Sequence, residues 1–217
     1  MAVIHRTTLT PTKLELLAGW LPAQAWYTGG GSEPLLAKAG GFRLDDPEGE
    51  VGIEFMAVRD SSEGQVVTYH VPFTYRAAPL AGAEKGLIGT TEHGVLGKRW
   101  VYDGAHDPVL VRQLLALLLG RAEPQAQSLS NTPDPTVVAQ FAADSRPTGA
   151  VLSADATDGP GRTDLLVRTE GAAGALTIGV RRILEVGEDG GESGHVSGGW
   201  ALPDGSTARG MYVVVKP

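Results

Sequence analysis

Candidate β-strands follow one another along this sequence of 217 residues, and only two segments have the pattern of a helix. Clusters of turn-forming residues, at 45–49 and 60–64, separate the early strands, and such short polar connections are typical of antiparallel neighbours. Runs of strands with few helices between them predict an α+β fold with an antiparallel β-sheet. The candidate strands are residues 3–8, 35–44, 51–59, 66–72, 86–93, 98–102, 137–141, 150–154, 164–169, 176–184 and 211–216.

Both predicted helices have recognisable ends. The first follows Pro11 and covers residues 12–20, with leucines spaced along one face. The second begins with Asp107 as N-cap and Pro108 in the first helical position, where the missing N–H costs nothing. Gly120 is a natural stop for this second helix. Because the segment between is apolar nearly all round, we expect it to be buried against the sheet.

Charge and composition exclude several classes of protein. The formal net charge is −7, which argues against a nucleic-acid partner. The absence of cysteine excludes disulfides, thiolate metal sites and thiol nucleophiles. The first residues lack the pattern of a signal peptide, and the longest apolar run, at 114–119, is far shorter than the ~20 residues of a membrane span. We therefore expect a cytoplasmic protein with no membrane partner.

Familiar catalytic motifs are missing from the sequence. There is no G-x-x-x-x-G-K-[ST] loop for phosphates. A kinase site needs an Asp followed five residues later by an Asn, but the single asparagine, Asn131, has Ala126 at that distance. Ser197 lies one place away from the position that a G-x-S-x-G hydrolase motif requires. The histidines lack zinc-site spacing, and we expect no metal and no cofactor.

Two aromatic segments are the candidate binding sites. Aromatic faces beside amides and charged groups are suited to hold sugar rings. The alternative is that the aromatic rings pack in the core, that Arg99 pairs with a nearby carboxylate, and that residues 92–99 form a solvated hairpin turn. The candidate residues are Gln24, Trp26 and Tyr27 in the first segment, and Glu92, His93, Lys98, Arg99, Trp100, Tyr102 and Asp103 in the second.

The same segments carry a resemblance to the N-terminal cap of maltokinases. Residues 20–29, WLPAQAWYTG, resemble the W-L-P-x-Q-R-W-[FY]-x-G segment at the start of these kinases, with Ala25 in place of the usual arginine. Residues 69–76 with 87–90 resemble their Y-x-x-P-L-x-Y-R … I-G stretch, and residues 101–108 are similar to V-Y-D-A-x-H-D-P. The resemblance implies a cystatin-like cap, an antiparallel sheet with helices that precedes the kinase lobes and carries no catalytic residues.

The resemblance covers about residues 1–125 and divides the chain. Residues 126–217 form a β-rich region that either folds separately or continues the sheet of the cap. A retained cap without phosphoryl-transfer residues leads us to expect a non-catalytic accessory or regulatory module of carbohydrate metabolism (glucan, maltose, trehalose or amino sugar). Its expected partner is a sugar kinase or another glucan-metabolism protein, or a carbohydrate ligand. The alternatives are an enzyme acting on a glucan or sugar phosphate around residues 92–103, and a purely structural interaction module.

Overall fold

The computed structural model describes residues 7–142, 146–172, 174–187 and 193–216. These residues form two α-helices and thirteen strands, which confirms the predicted α+β class with few helices. The helices are α1 (Lys13–Trp20) and α2 (Pro108–Leu118). The strands are β1 (Leu9–Thr10), β2 (Leu36–Leu44), β3 (Gly52–Asp60), β4 (Val67–Arg76), β5 (Leu87–His93), β6 (Gly97–Asp103), β7 (Gln125–Ala126), β8 (Val138–Phe141), β9 (Val151–Gly159), β10 (Arg162–Thr169), β11 (Leu176–Arg181), β12 (Gly194–Ala201) and β13 (Thr207–Lys216).

Local signals set both helices as predicted. Thr12 caps α1, accepting a hydrogen bond from the Glu15 N–H, while the Glu15 carboxylate accepts one from the Thr12 N–H. Asp107 caps α2 by accepting from the Val109 N–H. Gly120 follows the end of α2 with a φ of 70°, a left-handed conformation that glycine adopts without strain. No helix of the described residues is long and apolar enough to cross a membrane.

All the named strands belong to one sheet, and every pairing between them is antiparallel. The order is β1-β5-β6-β4-β3-β2-β12-β13-β11-β10-β9, with β7 added to β2 and β8 added to β12. The connection between the two halves of the chain runs through β2 and β12, where Gly40 lies opposite Trp200. Residues before and after position 126 therefore contribute to the same hydrogen-bonded sheet.

The sheet also closes on itself. After β11 the chain turns onto the first half of β4, where the His70 N–H donates to the Arg182 carbonyl and the Leu184 N–H donates to that of Thr68, both at 2.8 Å. The strands β4, β3, β2, β12, β13 and β11, together with residues 182–184 after β11, thus form a closed ring. The His70 N–H points to Arg182 and therefore away from β3. N–H groups two residues apart on a strand point the same way, so the backbone nitrogen of Pro72 also points away from β3. Pro72 lies where β4 changes its outer partner to β6, so its missing N–H costs no bond to β3.

Two buried clusters lie on the two faces of the curved sheet. One combines the ring interior with α2, and Phe42 stacks on Phe55 there with ring centroids 4.5 Å apart. The other packs α1 against β3, β4 and β6, through Leu17 and Leu21. The apolar α2 is buried along most of its length, as its composition predicted.

Most of the predicted strands are present, but several of them begin or end at other residues than predicted. β4, β9 and β13 are longer than predicted, and β11 ends at Arg181 instead of continuing to residue 184. β12 was not predicted at all, although it pairs with three other strands. In the predicted strand 3–8, residues 3–6 lie outside the described residues, and the next strand begins only at Leu9.

Candidate functional site

A cleft of about 600 Å³ opens between the start of α1, the strands β2, β3 and β4, and the β5–β6 hairpin. Its size is within the range of about 300–1,000 Å³ that is usual for small-molecule sites. The side chains that line the cleft include Lys13, Arg43, Glu54, Tyr75, Arg99 and Gln127. We call this depression the cleft.

The floor of the cleft is a buried carboxylate with three side-chain partners. The Lys13 ammonium lies 2.5 Å from one oxygen of Glu54, and the Tyr75 hydroxyl donates to the same oxygen at 2.7 Å. The Gln127 amide donates to the other oxygen at 2.9 Å. Tyr75 lies opposite Gly52, where a β-carbon would approach the tyrosine ring to 3.2 Å, so the glycine leaves room for the ring.

The charges of this network are fixed by its contacts. Burial raises the pKa of Glu54, but the Lys13 charge and hydrogen bond, the Tyr75 hydroxyl and the Lys38 charge outweigh burial, and the net pKa is lowered. Burial and the neighbouring Glu54 carboxylate raise the pKa of Tyr75 well above its usual range. At neutral pH Glu54 is therefore an ionised acceptor and Tyr75 is a protonated donor.

A second buried carboxylate of the cleft, Asp46, is held by its own turn. It accepts hydrogen bonds from the N–H groups of Glu48, Glu50 and Val51 at 3.0–3.2 Å. Asp46 thus shapes the loop that leads into β3. No group of three or more His, Asp and Glu side chains within the described ranges is placed to hold a metal ion.

Cationic side chains enter the cleft from two sides. Arg43 on β2 donates to the carbonyls of Ala126 and Leu129, at 3.2 and 3.1 Å. Arg99 on β6 forms no ion pair with a carboxylate of the described residues, and its hydrogen bond is a long one of 3.5 Å to the Lys98 carbonyl. Neither arginine forms an ion pair with a carboxylate of the described residues, although Arg43 lies opposite Glu54 on the neighbouring strand.

Of the ten predicted candidate residues, His93 and Arg99 line the cleft. His93 lines it at the hairpin turn, and its Nδ1 accepts from the N–H groups of Val95 and Leu96. Glu92 and Lys98 are cross-strand neighbours on the hairpin, and the Lys98 ammonium lies 5.0 Å from the Trp100 ring centroid. Binding roles for Glu92, Lys98 and Trp100 stay predictions.

The aromatic segment at residues 20–27 is part of the core instead of the cleft. Trp26 is only 1% exposed and packs against Trp20, Tyr69 and the Arg182 guanidinium. The Gln24 amide donates to the Trp20 carbonyl at 3.0 Å. In this arrangement Trp26 has no ring face to offer to a sugar, and core packing accounts for its position.

Tyr27, Tyr102 and Asp103 also have partners within the protein. The Tyr27 hydroxyl donates to Asp60 at 2.8 Å, and burial together with that bond raises the pKa of Tyr27 to about 12. The Tyr102 hydroxyl accepts from the Leu80 N–H. Asp103 is buried and pairs with Arg182 at 2.5 Å. This ion pair joins the end of β6 to the chain after β11.

The predicted candidates did not include Lys13, Arg43, Asp46, Glu54, Tyr75 or Gln127, all of which line the cleft. One signal was present in the sequence, because Glu54 interrupts the apolar run of β3 at 51–58. A charged residue inside such a run is buried only when it is paired. The partners themselves come from positions 41 residues before and 73 residues after Glu54, which no local pattern links.

Fold and cleft together define an α+β protein whose antiparallel sheet carries a polar ligand-sized depression. Residues 20–107 match the family model of the maltokinase N-terminal cap domain, which confirms the predicted resemblance over this part of the chain. The matched part contains β2–β6, and with them Glu54, Tyr75 and Arg99. No curated protein matches the sequence significantly.

Proposed function

We propose that this chain is a non-catalytic accessory module of carbohydrate metabolism that binds a sugar in the cleft. The observation that carries the proposal is the Glu54 network, in which an ionised carboxylate, an ammonium, a phenol and an amide are fixed at the floor of a cleft of about 600 Å³. Specific small-molecule sites place a few polar groups in this way to fix orientation. Sugar hydroxyls can accept from the Lys13 ammonium and the Gln127 amide, both of which the Glu54 carboxylate holds in place.

The hydrogen bonding of the two buried carboxylates favours binding over hydrolysis. A glycosidase needs two carboxyl groups on opposite sides of the scissile bond, one of which is a proton donor with a raised pKa. Glu54 instead has a lowered pKa, and Asp46 is bound to three backbone N–H groups of its turn. At neutral pH Glu54 is therefore not a proton donor, and the Asp46 carboxylate is already occupied by its turn.

The match to a maltokinase domain supplies the metabolic context of the proposal. In the predicted resemblance this domain is the part that precedes the kinase lobes, and the sequence after residue 107 lacks the kinase Asp and Asn spacing. A sugar-binding role without phosphoryl transfer fits both observations.

Calorimetric titration and thermal denaturation of the purified chain test the proposal. Glucose, maltose, trehalose, glucosamine and soluble glycogen are the probes, and a ligand at 100 times its Kd stabilises the fold by about 2.7 kcal/mol. We expect one of them to bind, and we expect Glu54→Gln and Gln127→Ala to weaken that binding. Gln127 is in a loop, so its removal tests the cleft without cutting into the sheet.

Glu92→Gln is the matched control, because Glu92 is exposed on the same hairpin that borders the cleft. It should bind as the unaltered protein does. Binding that is lost in Glu92→Gln but kept in Glu54→Gln would place the site on the hairpin surface and refute the cleft. A folded protein that binds none of the probes would refute sugar binding.

A further inference from the structure

We infer that the ligand of the cleft is a sugar carrying a phosphate group, with the phosphate held by Arg99 and Lys13. This inference rests on the proposed function and adds the chemical class of the ligand. In the cleft, the buried hydrogen-bond acceptors already have partners within the protein, whereas several N–H donors do not.

The buried acceptors of the cleft are occupied by the protein itself. Glu54 accepts from Lys13, Tyr75 and Gln127, and Asp46 accepts from three backbone N–H groups. A ligand that needs carboxylates as its main partners, such as an amino sugar, would have to displace these bonds. Glu50 is the remaining carboxylate of the lining, and it is exposed at the rim.

The donors of the cleft are only partly occupied. An ammonium has three donor hydrogens, and Lys13 has one recorded hydrogen bond, to Glu54. A guanidinium has five, and Arg99 has a single long bond to a neutral carbonyl. Arg43 donates to two neutral carbonyls, and it lies opposite Glu54 on the neighbouring strand. The cleft therefore offers N–H donors on cationic groups to whatever enters.

A phosphate matches these unoccupied N–H donors because its oxygens are hydrogen-bond acceptors. Arginine binds phosphate in a bidentate manner, and such charge-assisted bonds are stronger than those between neutral groups. Arg99 and Arg43 project from strands β6 and β2, and side chains on regular elements are held more precisely than those on loops. The sugar part would then contact the Glu54 network.

The net charge of the whole chain makes this local pattern informative. With a formal net charge of −7, the protein as a whole repels anions. Anion binding at the cleft would therefore depend on its particular donors, and single substitutions there should be decisive.

Paired titrations test the inference. The probes are glucose against glucose 1-phosphate and glucose 6-phosphate, and maltose against maltose 1-phosphate, with inorganic phosphate alone as a further probe. We expect a phosphorylated probe to bind at least about tenfold more tightly than its neutral counterpart, since hydrogen bonds to charged groups contribute about 1.5–3 kcal/mol. Arg99→Gln should remove most of that difference by weakening the binding of the phosphorylated probe. Arg168→Gln, an exposed arginine on β10, should change neither value.

The outcomes separate the two proposals. Neutral and phosphorylated sugars binding equally well would overturn the inference and leave sugar binding in place. Inorganic phosphate binding as tightly as every sugar phosphate would also overturn it, because the sugar would then contribute nothing. A folded protein that binds no probe would overturn both proposals.

Discussion

Acidification should destabilise this fold through a single buried histidine. His70 is fully buried on β4, with its ring 5.9 Å from that of Phe55 and 4.8 Å from that of Tyr212. Its Nδ1–H donates to the Arg181 carbonyl at 2.8 Å, which places the lone pair on Nε2. Nε2 has no hydrogen-bond partner among the described residues. Protonation would therefore put a charge into the interior of the strand ring.

Burial is the main reason why the pKa of His70 is lowered from 6.5 to about 3. The hydrogen bond to the Arg181 carbonyl raises this pKa, and the Arg182 charge lowers it. Below pH 6.5 the unfolded chain binds a proton that the native chain does not bind, so stability must fall as the pH falls. The slope approaches about 1.4 kcal/mol per pH unit, and integration between about pH 7.5 and pH 5 gives a loss of about 2 kcal/mol. Glu54 and Asp60 have lowered pKa values and contribute mainly below this window.

Urea denaturation between about pH 7.5 and pH 5 measures this loss for the unaltered chain and for His70→Gln. Glutamine keeps an N–H for the Arg181 carbonyl but does not titrate, so the variant should lose about 2 kcal/mol less over the window. His195→Gln, at a partly exposed histidine on β12, should keep the unaltered loss. Equal losses in His70→Gln and the unaltered chain would refute the reasoning.

Two further predictions concern how the parts of the chain depend on each other. Asp103→Ala leaves the buried Arg182 without its carboxylate and should cost about 3–5 kcal/mol in urea denaturation, while Asp103→Ala combined with Arg182→Met should recover part of that loss. A loss below about 1 kcal/mol in the single variant would show that the pair is not important for stability. Residues 1–125 alone lack β12, β13 and the segment that closes the ring onto β4, so this fragment should show no cooperative thermal transition by circular dichroism. A cooperative transition in the fragment would instead show that residues 1–125 fold without the region that follows them.

The sequence predicted those features of the fold that depend on neighbouring residues. The ends of α2 follow from Asp107, Pro108 and Gly120, because caps and stops act within one turn. β12 escaped prediction because its glycines are explained only by distant neighbours. A β-carbon at Gly194 would lie 2.7 Å from the Gln140 carbonyl oxygen. The residue choice is therefore set by tertiary packing, and the strand lacks the β-branched and aromatic pattern by which strands are recognised.

The candidate site shows the same division between local and distant causes. Trp26 and Gln24 form a local pattern of an aromatic ring beside an amide, which is suited to hold a sugar ring. In the fold, however, the Trp26 ring is covered by Arg182, which follows it by more than 150 positions. Conversely, the Glu54 network joins α1, β3, β4 and a loop after β7, and each member is unremarkable in its own segment. A single sequence shows which residues are polar but not which of them meet.

Only part of the cleft lies within the residues that match the maltokinase cap domain. Glu54, Tyr75 and Arg99 lie within the matched residues 20–107, whereas Lys13 precedes them and Gln127 follows them. A chain that shares the matched part and continues differently after it would lack the Gln127 amide, which is one of the three partners that fix the Glu54 carboxylate. The lining of the cleft therefore depends on residues outside the matched part, and the test of ligand binding has to be made on the full chain.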